Sequence, residues 1–197
     1  GSLRVSAPVI YGERSVAPLV YDFMKLHQEL EVSLYLTNRQ VNLIDEGFDL
    51  VVRLGELESS SMMAKKLATR TQVVCAAPEY LERHGIPETL ADLNDHNCLQ
   101  GATDYWRFIN QGKPANQAIT GKLSCNIGLS LLDAAIKGIG IVQLPDYYVT
   151  SHIKSKQLIP LLKQYQQPEE GIWALYPNNR YLSPKVRLLI DYLSEHL

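Results

Sequence analysis

Apolar positions in the first third of the chain switch repeatedly between the spacing of strands and the spacing of helices. In some segments every second residue is apolar, whereas in other segments an apolar residue recurs every three or four positions. In order, the pattern predicts a strand over Leu3–Ala7 stopped by Pro8, a helix through Val16–Met24, a strand over Val32–Leu36, a short helix from Val41 to Gly47 and a strand over Leu50–Leu54. Strands joined by helices of this length require crossovers and a mainly parallel sheet.

The patterning after residue 60 predicts a second α/β lobe. The segment from 87 to 120 lacks a regular period, and Trp106 and Phe108 are its expected anchors, either in the core or on a pocket wall. The predicted elements are extended segments over 63–68 and 72–77, a helix over 79–84, a helix over 127–136, a strand over 140–144 cut by Pro145, a helix over about 147–156, a strand over 171–176, and a last helix that begins at Ser183 and Pro184.

Composition and charge exclude several classes of protein function. The chain is 46% hydrophobic and 20% charged, as in a folded globular protein, and has no uninterrupted apolar run long enough to span a membrane. A net charge of -2 with scattered basic residues gives this chain no surface for DNA phosphates. Cys75, Cys98 and Cys125 are an odd number at wide spacing, which favours a reducing, cytoplasmic environment.

Three turns are candidates for binding a small anion. In open α/β sheets, ligands lie beyond the carboxyl ends of strands, where helix N-termini present free N–H groups. Pro8–Gly12, Thr37–Gln40 and Asn126–Gly128 are predicted to occupy such places. The alternative is that the asparagines are ordinary helix caps and the proline only ends a strand.

Arg53 is the one charged residue in an apolar run, so it needs a partner or access to water. It could bind an anionic effector or form a structural ion pair with Asp49 or Glu56. The candidate effector-binding residues are Pro8, Ile10, Tyr11, Thr37, Asn38, Arg53, Asn126, Ile127, Gly128 and Pro145.

Catalytic and metal-binding patterns are missing from the sequence. The five histidines are far apart, and no nucleophile elbow, phosphate-binding glycine loop or dinucleotide fingerprint is present. Cys75 and Cys125 lack the basic neighbour or close spacing of a reactive thiol pair and are expected to be small core residues. We therefore expect no enzyme activity, no cofactor and no metal.

Ordered motifs across nearly the whole chain resemble the effector-binding domains of LysR-type bacterial transcriptional regulators. No single motif is specific, but the ordered set is. The matching segments are Leu3–Pro8, Asn38–Gly55, Ala64–Leu67, Val74–Leu81, His84–Pro87, Asp92–Leu93, His96–Leu99, Trp106–Phe108 and Ala134–Pro145.

The resemblance implies an α/β fold with two Rossmann-like lobes joined by two crossover strands, as in type 2 periplasmic binding proteins. Lobe I would comprise residues 1–73 and 174–197, lobe II residues 74–173, and the crossovers Gln72–Ala77 and Gly171–Tyr176. An effector would bind in the cleft between the lobes. The resemblance also implies homodimers within a tetramer, and promoter binding through an N-terminal winged helix-turn-helix that this chain does not contain.

Two departures from the family pattern bear on the effector. Gln28–Leu30 replaces a frequent Tyr-Pro pair, and Asn126-Ile127 replaces a frequent Asn-Asp pair. Loss of that carboxylate favours an anionic or partly apolar effector. A periplasmic solute-binding protein of a transporter, or an enzyme on the same fold, is the competing interpretation, and the sequence identifies neither the effector nor the target genes.

Overall fold

Each part of the chain predicted to be α/β forms its own sheet in the computed structural model, which describes residues 1–58, 62–180 and 182–197. One unit comprises Gly1–Thr69 with Glu170–Leu197, and the other comprises Arg70–Glu169. The boundaries therefore lie four residues before those predicted at 73 and 173. The predicted boundaries cut through both crossover strands, whereas in the structure one strand pairs within the second unit and the other within the first.

The first unit is built on a five-stranded sheet. Strand β1 is parallel to both of its neighbours, β2 and β3, whereas the returning strand β10 is antiparallel to β3. The predicted mainly parallel sheet is thus mixed. Its strands are β1 (Ser2–Ala7), β2 (Glu31–Leu36), β3 (Leu50–Leu54), β4 (Met63–Arg70) and β10 (Glu170–Tyr176), in the order β2-β1-β3-β10-β4.

A helix begins directly after Pro8, because the proline ends β1 and its N-cap position needs no N–H. It consists of α1 (Val9–Tyr11), a π-helical turn (Gly12–Val16) and α2 (Ala17–Leu26). Glycine fits closely at position 12, since a Cβ there would lie 2.6 Å from Leu36 Cδ2 and 3.0 Å from Ala7 Cβ, so that a larger residue would displace the Leu36 side chain.

The helix predicted from Val41 to Gly47 is wrong. The segment is a turn, in which Gly47 has φ +70°. The prediction rested on the helical spacing of Val41 and Ile44, but Ile44 is exposed, whereas Val41 and Leu43 fill a small cluster with Phe48, Val51 and Leu175.

The last helix, α6 (Pro184–His196), starts where the sequence predicts. Ser183 is its N-cap residue, although its side chain makes no capping hydrogen bond. Its predicted apolar face is buried, with Leu189 and Leu193 fully inside the first unit.

The second unit has a three-stranded sheet in the order β8-β5-β9, with both outer strands antiparallel to β5. Its elements are β5 (Gln72–Ala76), α3 (Pro78–His84), a 3₁₀ turn (Ala91–Asp95), β6 (Tyr105–Asn110), β7 (Lys113–Ala118), α4 (Gly128–Ile136), β8 (Val142–Pro145), α5 (Asp146–Lys154), β9 (Ile159–Leu161) and a second 3₁₀ turn (Lys163–Tyr165).

The segment expected to be irregular contains the hairpin β6–β7. Asn110 pairs with Lys113, and the two residues between them, Gln111 and Gly112, have φ +52° and +75°. Positive φ at both positions is typical of a type I′ turn, whose twist matches that of the flanking strands. Trp106 and Phe108 are buried and belong to the core of this unit.

Alternate residues of β5 contribute to two different core clusters. Val74 and Ala76 pack with Tyr80 and other residues of one cluster, whereas Cys75 packs with Leu131 and other residues of the second. This two-sided burial explains why β5 is almost continuously apolar.

Gly85 ends α3 with a backbone that only glycine adopts readily. Its φ and ψ are +84° and 167°, and no heavy atom lies within 4 Å of a Cβ built on it. We expect Gly85→Ala to lower the free energy of unfolding by roughly 1–3 kcal/mol through backbone strain alone. Urea unfolding would measure this.

The matched control is Gly101→Ala, because Gly101 lacks a positive φ and a Cβ there would meet its nearest neighbour at an ordinary 3.7 Å. Equal losses of stability in the two variants would contradict the explanation by backbone strain.

Candidate functional site

Four of the predicted effector-binding residues line one cavity of the first unit. The cavity has a volume of about 330 Å³ and lies where β1, β2 and β3 end, so we call it the strand-end cavity. Pro8, Thr37, Asn38 and Arg53 are among its lining residues. They are together because the carboxyl ends of parallel strands meet at one edge of a sheet.

Asn38 connects two of these strand ends. The Val9 N–H, at the start of α1, donates a hydrogen bond of 3.1 Å to Asn38 Oδ1. Thr37 orders the same turn, because its Oγ1 accepts from the Arg39 N–H at 3.1 Å and its own N–H donates to Ala7 O at 2.9 Å. Asn38 is therefore a cap, but of the preceding helix rather than of one that follows it.

Arg53 carries the positive charge of the cavity wall. One of its Nη2 hydrogens is donated to Val41 O at 2.8 Å. Among the described residues, no carboxylate forms an ion pair with it, so the predicted pairing with Asp49 or Glu56 is not formed. Asp49 instead accepts from the Arg4 N–H at 2.8 Å.

Burial makes Arg53 a partly desolvated cation. Desolvation lowers the pKa of its guanidinium, and the negative charge of Glu58 partly offsets this. An arginine remains protonated at neutral pH even so. Its remaining N–H groups are suited to a carboxylate, because the guanidinium fork matches two oxygens at once.

Arg39 and Gln40, which belong to the predicted turn Thr37–Gln40 but were not among the individual candidate residues, also line the cavity, and so does Glu56. Arg39 contributes little free charge, because its Nη2 lies 2.6 Å from Glu46 Oε1. This pairing raises the pKa of Arg39 and lowers the pKa of Glu46. The predicted turn therefore lines the cavity along its whole length, from Thr37 to Gln40.

Ile10 and Tyr11 are buried in the first unit, at 5% and 6% exposure. The strand-end cavity is lined by Pro8, whereas these two side chains are part of the core beneath the start of the helix. Within the first turn of the helix, Pro8 therefore faces the cavity and Ile10 and Tyr11 face the core, although the sequence analysis grouped all three as candidate binding residues.

The other four predicted residues belong to the second unit. Ile127 is the N-cap residue of α4 and makes no side-chain capping bond, so the exposed Asn126 before it is not the cap. Gly128 lets Tyr148 approach, since a Cβ would lie 2.8 Å from its ring. Pro145 ends β8 opposite Gln72. Effector binding by these residues stays a prediction.

Cys75 and Cys98 are buried core residues, whereas Cys125 is half-buried against one of the core clusters. Burial raises the pKa of Cys75 and of Cys98 to about 12, which keeps both thiols protonated and unreactive at neutral pH. Within the described ranges, no group of three histidines, cysteines or carboxylates is placed to hold a metal ion. No helix there is both long and apolar enough to cross a membrane.

A partly buried hydrogen bond in the second unit holds the ring of His96. Tyr80 Oη accepts from the Asn97 N–H at 3.1 Å and lies 2.8 Å from His96 Nδ1. The phenol hydrogen is then available to His96, which accepts it in the neutral form. Burial lowers the pKa of His96 and His84 lowers it further, while Asp92 and Asp95 act in the opposite direction.

The described site can be compared with known proteins. The model of the LysR substrate binding domain matches residues 1–197. An uncharacterized HTH-type transcriptional regulator of Haemophilus influenzae is 36% identical over 94% of this chain and 66% of its own length. The HTH-type transcriptional regulator DmlR of Escherichia coli is 32% identical over 100% of this chain and 65% of its own length. The chain thus spans about two thirds of the length of these curated relatives.

Solved structures show the same similarity over the whole chain. The regulatory domain of AphB from Vibrio vulnificus superposes with a TM-score of 0.85 at 28% identity, covering 100% of both chains. The regulatory domain of CrgA, a LysR-type transcriptional regulator from Neisseria meningitidis, gives 0.84 at 28% identity, covering 100% of this chain and 98% of its own.

Protonation of His96 should make stability depend on pH. Its ordinary pKa is 6.5, and the folded-state value is lower, so the unfolded chain binds this proton more tightly. The free energy of unfolding is therefore expected to fall as pH drops from about 6.5 through the folded-state pKa. Urea unfolding between pH 7.5 and about 5 should show a flatter profile for His96→Gln; identical profiles would contradict this role.

Removal of the Asn38 cap should cost stability without disturbing the core. We expect Asn38→Ala to lower the free energy of unfolding by about 1 kcal/mol, because the Val9 N–H loses its acceptor. Asn38→Asp keeps an acceptor oxygen and is the control, measured by urea unfolding. A loss as large in Asn38→Asp would show that the amide acts in some other way.

Proposed function

This chain belongs to the LysR substrate binding domain family, and we propose that it senses a small anionic effector for a bacterial transcriptional regulator. The function of the isolated module would be to bind that molecule and change how the whole protein acts at promoters. An effector can do so only if it binds two conformations of the protein with different affinities.

The observation that carries the proposal is the placement of Arg53 beside Thr37 and Asn38 in the strand-end cavity. Among the described residues, the half-buried guanidinium has one hydrogen-bond partner, the Val41 carbonyl, so it attracts an anion, and the hydroxyl of Thr37 adds a polar contact. The cavity lies in the lower part of the range of about 300–1,000 Å³ that is usual for small-molecule sites. We infer a small organic acid as the effector.

Transport and catalysis receive less support. The relatives compared above are named transcriptional regulators, not transporter components. The described lining of the strand-end cavity includes no histidine or cysteine, and Glu56 is its single carboxylate. An acid–base pair or an activated nucleophile would need more than this, so we propose a non-enzymatic binding domain.

The other third of the whole protein would carry the DNA contacts. The relatives are named HTH-type regulators, and this chain covers about two thirds of their length. A net charge of -2 leaves this chain without the basic surface that promoter DNA requires. We therefore propose promoter binding through an N-terminal winged helix-turn-helix, homo-oligomerisation and action in the cytoplasm.

A thermal-shift screen of the purified chain against aliphatic, aromatic and amino acid carboxylates tests the effector proposal. A ligand at 100 times its dissociation constant that binds only the folded state adds about 2.7 kcal/mol to the free energy of unfolding. We expect such a stabilising acid to exist, and Arg53→Gln to weaken its binding by roughly tenfold or more through the lost charge-assisted hydrogen bonds.

Arg14→Gln is the matched control, since it removes an exposed positive charge from the same unit outside the strand-end cavity. It should leave the ligand-induced shift unchanged. A stabilising acid whose binding is insensitive to Arg53→Gln, or equally sensitive to both changes, would place the effector elsewhere.

A further inference from the structure

A second cavity of the first unit also uses Arg53. It has a volume of about 390 Å³, and Glu58 is its only carboxylate among the described lining residues, so we call it the Arg53–Glu58 cavity. It shares Gln40, Val41 and Arg53 with the strand-end cavity, whereas Glu58, Leu57 and Leu175 line this cavity alone.

The two charges of the Arg53–Glu58 cavity face the same space without being paired. Among the described contacts, the Arg53 guanidinium has one hydrogen bond, to Val41 O, and Glu58 forms no ion pair or hydrogen bond. Glu58 still acts on Arg53 through space. An unpaired cation and anion on one wall can each receive the opposite charge of a ligand.

The rest of the wall is apolar and continues the core. Leu57 and Met62 are half-buried and pack against the cluster that contains Leu175, which is only 4% exposed. A ligand side chain lying on them would lose contact with water over an apolar surface, which favours binding. Ala64, on the exposed strand β4, leaves this part of the cavity open.

We propose that the Arg53–Glu58 cavity is a binding site for a small zwitterionic amino acid with an apolar side chain. Its carboxylate would bind Arg53, its ammonium would bind Glu58, and its side chain would pack on Leu57 and Leu175. A simple acid could bind Arg53 but would leave Glu58 without a partner, and a simple amine could bind Glu58 but would leave Arg53 without one. The cavity therefore selects for both charges in one molecule. The proposal goes beyond effector sensing at the strand ends and does not depend on it.

Isothermal titration of the purified chain with L-leucine tests the proposal, with two analogues as probes. Isocaproate lacks the ammonium group and isoamylamine lacks the carboxylate. We expect L-leucine to bind and each analogue to bind roughly tenfold more weakly or worse, because each loses one charge-assisted contact.

Two substitutions locate the site. Glu58→Gln should weaken L-leucine binding by about tenfold and leave isocaproate unchanged. Glu56→Gln is the matched control, because Glu56 is also exposed, lies two residues away and lines the strand-end cavity instead. Ala64→Leu should block L-leucine by filling the cavity, and unfolding curves would confirm that each variant is folded.

Three results would overturn the proposal. The first is the absence of measurable L-leucine binding. The second is isocaproate binding as tight as that of L-leucine, which would assign the affinity to the carboxylate alone. The third is weakening of L-leucine binding by Glu56→Gln that equals or exceeds the weakening by Glu58→Gln, which would show that the ammonium is not held by a contact specific to Glu58.

Discussion

A positive charge inside a buried strand is the constraint around which the first unit is arranged. Arg53 follows three buried residues of β3, and its side chain must reach hydrogen-bond acceptors without becoming fully hydrated. The carbonyl of Val41 supplies one acceptor at 2.8 Å and ties the turn before Phe48 to the sheet. Arg53 also lines both cavities described for this part of the unit.

Elements whose apolar period comes from one face packed on a core were predictable. Strands β1 and β2 and the helices α2 and α6 fall into this group, whereas β3 was recognisable as a continuous apolar run. Residues that end elements, such as Pro8 after β1 and Gly85 after α3, were predictable as well. The pair Val41 and Ile44 misled the prediction, because two apolar residues three apart match a helical face even though Ile44 is exposed and Leu43 is the buried neighbour. The hairpin β6–β7 was missed because the residues of β7 are exposed or only half-buried and include one proline, so no apolar alternation marks the strand.

The cavity residues that lie at the ends of neighbouring parallel strands could be predicted from the topology of the sheet. The direction of side chains within the first turn of the helix could not be predicted in this way. Thr37 and Asn38 share a cavity with Pro8 because parallel strands end at a common edge. Ile10 and Tyr11 were grouped with Pro8 by adjacency, but a helix turns neighbouring side chains by about 100° and sends these two into the core. The role of Asn38 as a cap for α1 depends on a contact 29 residues away in the chain, which no local pattern records.

Neighbouring strands of the first unit's sheet are far apart in the sequence, which affects how the protein folds during synthesis on the ribosome. Strand β3 ends at Leu54, but its neighbour β10 begins only at Glu170, after the entire second unit. During elongation, the continuous second unit can fold first. Until β10 is synthesised, the backbone groups on one edge of β3 have no strand partner. The region bearing the candidate sites is therefore the last to be completed, and the nascent chain is most exposed to mispairing while residues 70–169 emerge.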